Sequence, residues 1–266
     1  MYAASVTDPL GRPVKAAYGI VRSGGVKTAV MEMSAASGLP LLLPDELNPW
    51  ITSTYGTGEM ISDALNRGCR KFLVGIGGSA TNDAGTGMLS ALGVRFLDSS
   101  GQRLKGCGRD LESIARIDMS SLMPAARESE FIVACDVNTP FCGPDGAARV
   151  FAPQKGADPQ TAEALDLGMR SFAQVIAEQF QTDIVPLSGA GAAGGLGGAF
   201  KAFLNARLTA GIEMVLDAIA FDSLLEGASL VITGEGRIDA QTAAGKTAAG
   251  VLRHAARKGI LSLIHI

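Results

Sequence analysis

Short apolar runs alternate along this chain with stretches in which apolar positions recur every three or four residues. That alternation is the pattern of an α/β protein. "VKAAYGIV" (14–21) and "KTAVMEM" (27–33) read as strands, joined as a hairpin around Ser23-Gly24-Gly25. Pro40, Pro44 and Pro49 mark a loop. "GTGEMISDALNRG" then places Met60, Ile61, Ala64 and Leu65 on one helical face, with Gly68 as the stop. "KFLVGIGG" reads as a buried strand running into a glycine turn, followed by a helix through Met88, Leu89 and Leu92. "FIVACDV" (131–137) is a second such strand. Over 160–180, Leu165, Met169, Phe172, Val175, Ile176 and Phe180 recur at helical spacing. The glycine cluster "SGAGAAGGLGG" (188–198) precedes a helix over 199–206. "SLVITGEG" is strand then turn, and a helix over 247–257 follows.

Composition narrows the function classes. Hydrophobic residues make up 47% of the 266 positions and charged residues 18%, which excludes a disordered chain. The formal net charge of -3 gives no electrostatic reason to bind nucleic acid or an anionic membrane surface. No apolar run approaches the roughly 18 residues that a membrane span requires, and no signal peptide is visible. Cys69, Cys107, Cys135 and Cys142 show neither C-x-x-C spacing nor a disulfide framework. Reduced thiols in a cytoplasm are the expectation, and zinc is not.

Candidate chemistry gathers where open α/β sheets bind ligands, outside the carboxyl ends of strands. In "GIGGSATNDAG", Gly77 and Gly78 permit close backbone approach, Ser79 and Thr81 offer hydroxyls, and Asn82 and Asp83 sit where a helix begins. Either of the last two serves equally well as a helix cap. In "CDVNTPFCG", Asp136 emerges past a buried strand with Asn138 beside it. Such an acid can hold Mg²⁺ or accept a proton, or the segment is simply a turn. Gly191, Gly194 and Gly195 belong to the second glycine cluster and are candidates for a backbone anion site. In "GEGRIDAQTAAGKT", Glu235 and Arg237 follow a strand, and Arg237 is placed to clamp a carboxylate or phosphate. "AQTAAGKT" approximates a P-loop with alanine at the first glycine, but a dozen residues separate its Gly245-Lys246-Thr247 from the strand end near Thr233. A true P-loop joins strand directly to helix. Lys246 still lies at the start of the next helix, where it can reach a phosphate.

Six phrases in order carry a resemblance: "GTGEMI", "GIGGSATNDAGTGM", "VACDVNTPFCG", "FAPQKGA", "SGAGAAGGLGGA" and "VITGEGRIDAQTAAGK". Together they resemble the bacterial glycerate kinases, over about Thr7 to Lys258. The resemblance implies a two-lobed α/β kinase in which an inserted α/β lobe (1–225) accompanies a Rossmann-like lobe, here partial (226–266). It implies ATP and Mg²⁺ as cofactors, D-glycerate as substrate, and phosphoryl transfer to a hydroxyl. Asp83, Asp136 and Glu235 are then the catalytic candidates, with Asp136 and Glu235 also candidates for Mg²⁺. Gly77, Gly78, Ser79, Thr81, Asn82, Asn138, Gly191, Gly194, Gly195, Arg237 and Lys246 are the substrate- and phosphate-binding candidates. The roles are exchangeable among these residues.

The phrases Asp-Ser-Phe-Lys-Gly and Ala-Asp-Gly-Gly-Glu-Gly-Thr, which the family carries near its start, do not occur, and "GILSLIHI" departs from its later wording. The chain therefore reads as a partial protein that turns over no measurable D-glycerate by itself. Two alternatives remain: a P-loop phosphotransferase centred on Lys246, and a non-catalytic lobe that binds an organic acid or another chain.

Overall fold

The computed structural model describes residues 1–234 and 247–265. Strand β1 (Tyr2–Thr7), not anticipated from the sequence, pairs antiparallel with β2 (Pro13–Ser23), and β2 pairs antiparallel with β3 (Val26–Glu32). Ser23 and Val26 face each other across Gly24 and Gly25, whose φ values are +56° and +82°. Two successive positive φ angles match the right-handed twist of the strands they join, which makes this the expected hairpin.

From β3 the chain passes through short 3₁₀ turns led by Pro40 and Pro44 into helix α1 (Tyr55–Asn66). Met60, Ile61 and Ala64 of α1 are wholly buried, as their spacing requires. Strand β4 (Lys71–Gly75) follows, then α2 (Thr86–Ala91), the small antiparallel ribbon of β5 (Arg95–Leu97) and β6 (Arg116–Asp118), and β7 (Glu130–Ala134). β3, β4 and β7 run parallel, so their carboxyl ends lie along one edge of the sheet. Phe72 of β4 and Phe131 of β7 stack at 4.6 Å, which pins the register of the central pair.

Helix α3 (Ala147–Phe151) leads to the long α4 (Pro159–Phe180). Asp158 caps α4 by accepting from the Thr161 N–H at 2.7 Å, and Pro159 occupies its first turn. Leu165, Met169, Phe172 and Ile176 turn one stripe into the core, where Phe172 meets Phe96 edge-on and stacks on Phe203. Helix α5 (Ala192–Leu204) starts earlier than expected: Ala193, Gly194 and Gly195 form a left-handed turn (φ 53°, 68° and 92°) before regular helix resumes. β8 (Arg207–Thr209) completes the sheet order β1-β2-β3-β4-β7-β8. β7 itself ends at Ala134, so Cys135–Val137 lie past the strand rather than in it.

The chain divides into two compact units, Met1–Leu208 and Thr209–Ile266. Side chains tie the second unit together. Helix α6 (Gly211–Ala218) and the turn of helix at Phe221–Leu224 supply Glu213 and Asp222. These hold the two ring nitrogens of the buried His254, on helix α7 (Thr247–Arg257), at 2.9 and 2.6 Å. Gly250 lets α7 approach α6, since a Cβ there would lie 2.5 Å from Ile212. β9 (Leu230–Gly234) and β10 (Leu261–His265) pair in parallel and enclose α7 in sequence, a βαβ unit.

Candidate functional site

A cavity of about 260 Å³ opens past the carboxyl ends of β4 and β7. β4 contributes Ile76, Gly77, Gly78 and Ser79, and β7 contributes Ala134–Val137. Gln154, Lys155, Ala192 and Ala193 line the rest together with Leu39 and Phe151. Of the predicted residues, Gly77, Gly78, Ser79 and Asp136 therefore share one site. Gly77 is exposed and a Cβ on it would meet nothing within 4 Å, so its backbone is open to a ligand. Gly78 takes φ +70° and is held where its carbonyl accepts from Leu39 N–H at 2.9 Å. Asp136 is an exposed carboxylate on the cavity wall. Cys135 beside it gives its thiol hydrogen to the Val137 carbonyl, and burial pushes that thiol's pKa up, which makes it a poor nucleophile.

Asp83 does not line the cavity, contrary to the catalytic place expected for it. It is wholly buried, and its carboxylate accepts from Thr54 N–H (2.7 Å), Thr54 Oγ1 (2.8 Å), Gly85 N–H (3.1 Å) and Gly87 N–H (3.2 Å). Burial pushes its pKa up while those donors pull it down. Thr81 and Asn82 are likewise wholly buried, and Thr81 Oγ1 and Asn82 Oδ1 have no hydrogen-bond partner. Asn138 is exposed, accepts from Ser188 Oγ at 2.8 Å, and is not among the lining residues.

The three glycines of the second cluster differ from Gly77. A Cβ at Gly191 would sit 2.1 Å from the Pro140 carbonyl, and at Gly194 2.2 Å from the Thr81 carbonyl. At Gly195 it would sit 2.8 Å from Ala84 Cα. These glycines let the left-handed turn of α5 lie directly on the 81–84 loop, where Ala84 N–H donates to the Gly194 carbonyl at 2.9 Å. Ala192 and Ala193, rather than the glycines, reach the cavity.

Lys155 was not singled out from the sequence. It ends the 3₁₀ turn Pro153–Lys155, is 1% exposed, and donates to the Thr81 carbonyl at 2.6 Å. Burial lowers its pKa to about 7, against the opposing charge of Asp83. Glu32, also unremarked, ends β3 with its carboxylate over Gly75, where a Cβ would lie 2.3 Å from Oε2. The phrase "FAPQKGA" was the available signal for Lys155, but nothing in a Lys-Gly pair reports burial. Among the described residues no group of three or more His, Cys, Asp or Glu converges as a metal site. Glu235, Arg237 and Lys246, and with them the P-loop question, lie outside the described residues.

The model of the glycerate kinase family matches residues 1–265. Glycerate kinase of Halalkalibacterium halodurans is 48% identical over 255 residues, covering 96% of this chain and 67% of that protein. Glycerate kinase of Bacillus subtilis is 49% identical over 250 residues, 94% of this chain and 65% of that protein. Glycerate 2-kinase of Escherichia coli is 46% identical over 246 residues, 92% and 64%. The crystal structure of putative glycerate kinase 2 from Salmonella typhimurium LT2 superposes with a TM-score of 0.92 at 45% identity. That superposition covers 99% of this chain and 70% of that one. The chain spans about two thirds of the length of these relatives. It belongs to the glycerate kinase family.

Proposed function

We propose that this member of the glycerate kinase family takes part in phosphoryl transfer from ATP to D-glycerate, with the cavity beyond β4 and β7 as the reacting site. The observation that supports this most is the pairing of an open glycine backbone, Gly77–Gly78, with a carboxylate, Asp136, at adjacent parallel strand ends. In the reaction the glycerate hydroxyl oxygen bonds to the γ-phosphorus, the bond from that phosphorus to the β-phosphate oxygen breaks, and the hydroxyl proton leaves to a carboxylate. Positioning and charge neutralisation dominate such transfers. Gly77 and Gly78 let substrate approach the main chain. Asp136 and Glu235 divide proton acceptance and metal binding between them.

Mg²⁺ fits this donor set, because it is usually held by one or two carboxylates together with substrate phosphates. It would neutralise phosphate charge beside Asp136. Asp83 organises the wall behind the cavity without touching substrate. Arg237 and Lys246 remain the proposed carboxylate and phosphate ligands, and residues 226–266 the proposed part of a Rossmann-like lobe. The four free cysteines and the absence of a long apolar helix among the described residues are compatible with a cytoplasmic protein. The E. coli relative is named a glycerate 2-kinase, so we take the 2-hydroxyl as acceptor.

The test uses the chain alone and a chimera in which it replaces the matching region of a full-length bacterial glycerate kinase. The chimera should release ADP dependent on D-glycerate and form 2-phosphoglycerate by ³¹P NMR, and Asp136→Ala should abolish both. A folded chimera without turnover, or undiminished turnover in Asp136→Ala, would overturn the reading.

A further inference from the structure

Lys155 has no part in the roles above, yet it is the one cation among the described residues that line the cavity. Its ammonium has three donors. The hydrogen bond it makes goes to the neutral Thr81 carbonyl, and no carboxylate of the described residues forms an ion pair with it. Asp83 favours the ammonium through space, but two of the three donors make no hydrogen bond among the described residues, and a buried charge so placed is incompletely compensated. The chain holds it there nonetheless. Gly156, at φ +97°, turns so tightly beneath Leu47 that a Cβ would lie 2.2 Å from the Leu47 carbonyl, which fixes the end of the Lys155 turn. The loop that Lys155 grips contains two more polar atoms, Thr81 Oγ1 and Asn82 Oδ1, that are buried and unpartnered. Lys155 nonetheless lines the cavity, which a lysine serving only to brace a carbonyl has no need to do.

We propose that Lys155 recognises the anionic oxygen of the bound ligand, a carboxylate of glycerate or a phosphoryl oxygen, through an amine that gains its remaining partners only when the cavity is filled. The chemical identity of the ligand rests on the kinase reading above; the anion-binding role of Lys155 does not. Asp83, behind the 81–84 loop, is the charged group that acts on this amine, and Asp136 and Cys135 line the same cavity. An anion seated against the amine favours its charged form, so binding draws a proton onto Lys155 at mildly alkaline pH.

The experiment is NMR of the full chain carrying ¹³C-labelled lysine, read at the ε carbons. One resonance should titrate near neutrality and be absent from Lys155→Met. At pH 8 it should move to its ammonium position on addition of D-glycerate or of inorganic phosphate, and glycerol, which has no charge, should leave it in place. Calorimetry should show at least tenfold weaker binding of the active probe to Lys155→Met. That variant keeps an unbranched side chain one atom shorter, without the charge, and its thermal melt checks that it folds. A response to glycerate alone assigns the carboxylate, and one to phosphate alone assigns the phosphoryl group and counts against the glycerate reading. ADP release by the Lys155→Met chimera with unchanged KM would leave the kinase reading standing and overturn this one. So would a lysine resonance that neither anion moves, or equal affinity in the variant.

Discussion

Gly77 and Gly194 look interchangeable in the sequence, each standing in a glycine cluster before a helix, but the structure predicts opposite consequences when each becomes alanine. Gly194 has φ +68°, and a Cβ there would lie 2.2 Å from the Thr81 carbonyl and 2.6 Å from Asn82 Cα. A left-handed backbone costs a non-glycine residue about 1–2 kcal/mol. Overpacking against rigid main chain typically costs about 1–3 kcal/mol more. Gly194→Ala should therefore lose about 2–5 kcal/mol. Gly77 has no positive φ and open space where the methyl would go, so Gly77→Ala should stay within about 0.5 kcal/mol of the parent, as an unstrained surface substitution does. Its methyl instead enters the cavity and should obstruct ligand. Urea unfolding followed by Trp50 fluorescence isolates the relevant unit, because Trp50 is the single tryptophan and packs against the core of residues 1–208. With a urea dependence of about 2–3 kcal/mol/M, the Gly194→Ala midpoint should fall by about 1–2 M and that of Gly77→Ala should barely move. D-glycerate or phosphate binding should show the reverse order of damage among folded proteins. Equal midpoints for the two variants, or a Gly77→Ala protein that binds ligand normally, would refute the division of the glycines into structural and ligand-facing sets.

Asp83→Ala should destabilise the same unit by at least about 3 kcal/mol, since it strands the N–H groups of Thr54, Gly85 and Gly87 at about 1–3 kcal/mol per buried unpaired group; an unchanged Trp50 midpoint would contradict this. Phe172→Ala should cost about 3–5 kcal/mol through the cavity left between Phe96 and Phe203, read from the same midpoint. For Lys155 the folded pKa of about 7 lies below the unfolded value, so between about 7 and the ordinary lysine range the unfolded chain binds more protons and stability rises with pH. Urea midpoints of Lys155→Met should lose that rise. His254 shifts the other way: its partners Glu213 and Asp222 raise its pKa, so its contribution is complete below about 6.5 and disappears as pH climbs through the folded value. Protection of the β9 and β10 amides, after correction for the intrinsic pH dependence of exchange, should fall over that window in the parent and not in His254→Gln.

What the sequence disclosed divides along a physical line. Features set by local chemistry were legible: the Gly24-Gly25 hairpin, the apolar stripe of α4, and the termination of α1 at Gly68 follow from backbone freedom and side-chain period alone. The six-phrase resemblance pointed to the family because it runs over about Thr7 to Lys258, nearly the whole chain. Features set by what lies across the fold were not legible. Nothing in "SGAGAAGGLGG" says that Gly194 meets Thr81, and nothing in "GIGGSATNDAG" says that Gly77 meets open space, because each depends on what the rest of the fold places beside it. The same holds for Asp83. An acid at a helix start reads as cap or catalyst, and nothing in its own segment reports its complete burial beneath donors from Thr54, Gly85 and Gly87. Strand β1 was missed because its alternation is carried by the small Ala4 and Val6, whose inward face becomes visible only once β2 lies beside it.

The same cross-fold contacts explain why two glycine clusters so distant in sequence belong to one site. The buried Thr81 carbonyl of the 81–84 loop accepts from Lys155 and also lies against Gly194 of the α5 turn. Asp83 fixes it from below through the Thr54, Gly85 and Gly87 donors, and the Gly194 carbonyl fixes it from the side through Ala84 N–H. A loop held by backbone on two sides cannot relax toward a buried amine to satisfy it. Lys155 is thereby kept short of partners, and the Ala192–Ala193 backbone is kept at the cavity wall beside it. On this account the glycines of 191–195 serve the ligand at one remove: they permit the packing that holds the lysine ready, and Gly77–Gly78 provide the open face opposite. Changing Gly194 should therefore alter the titration of Lys155 before it alters Gly77. In a Gly194→Ala protein held folded at low temperature, the Lys155 ε resonance should titrate closer to an ordinary lysine. An unchanged titration in that protein would mean that the loop's rigidity is not what keeps the amine unpaired.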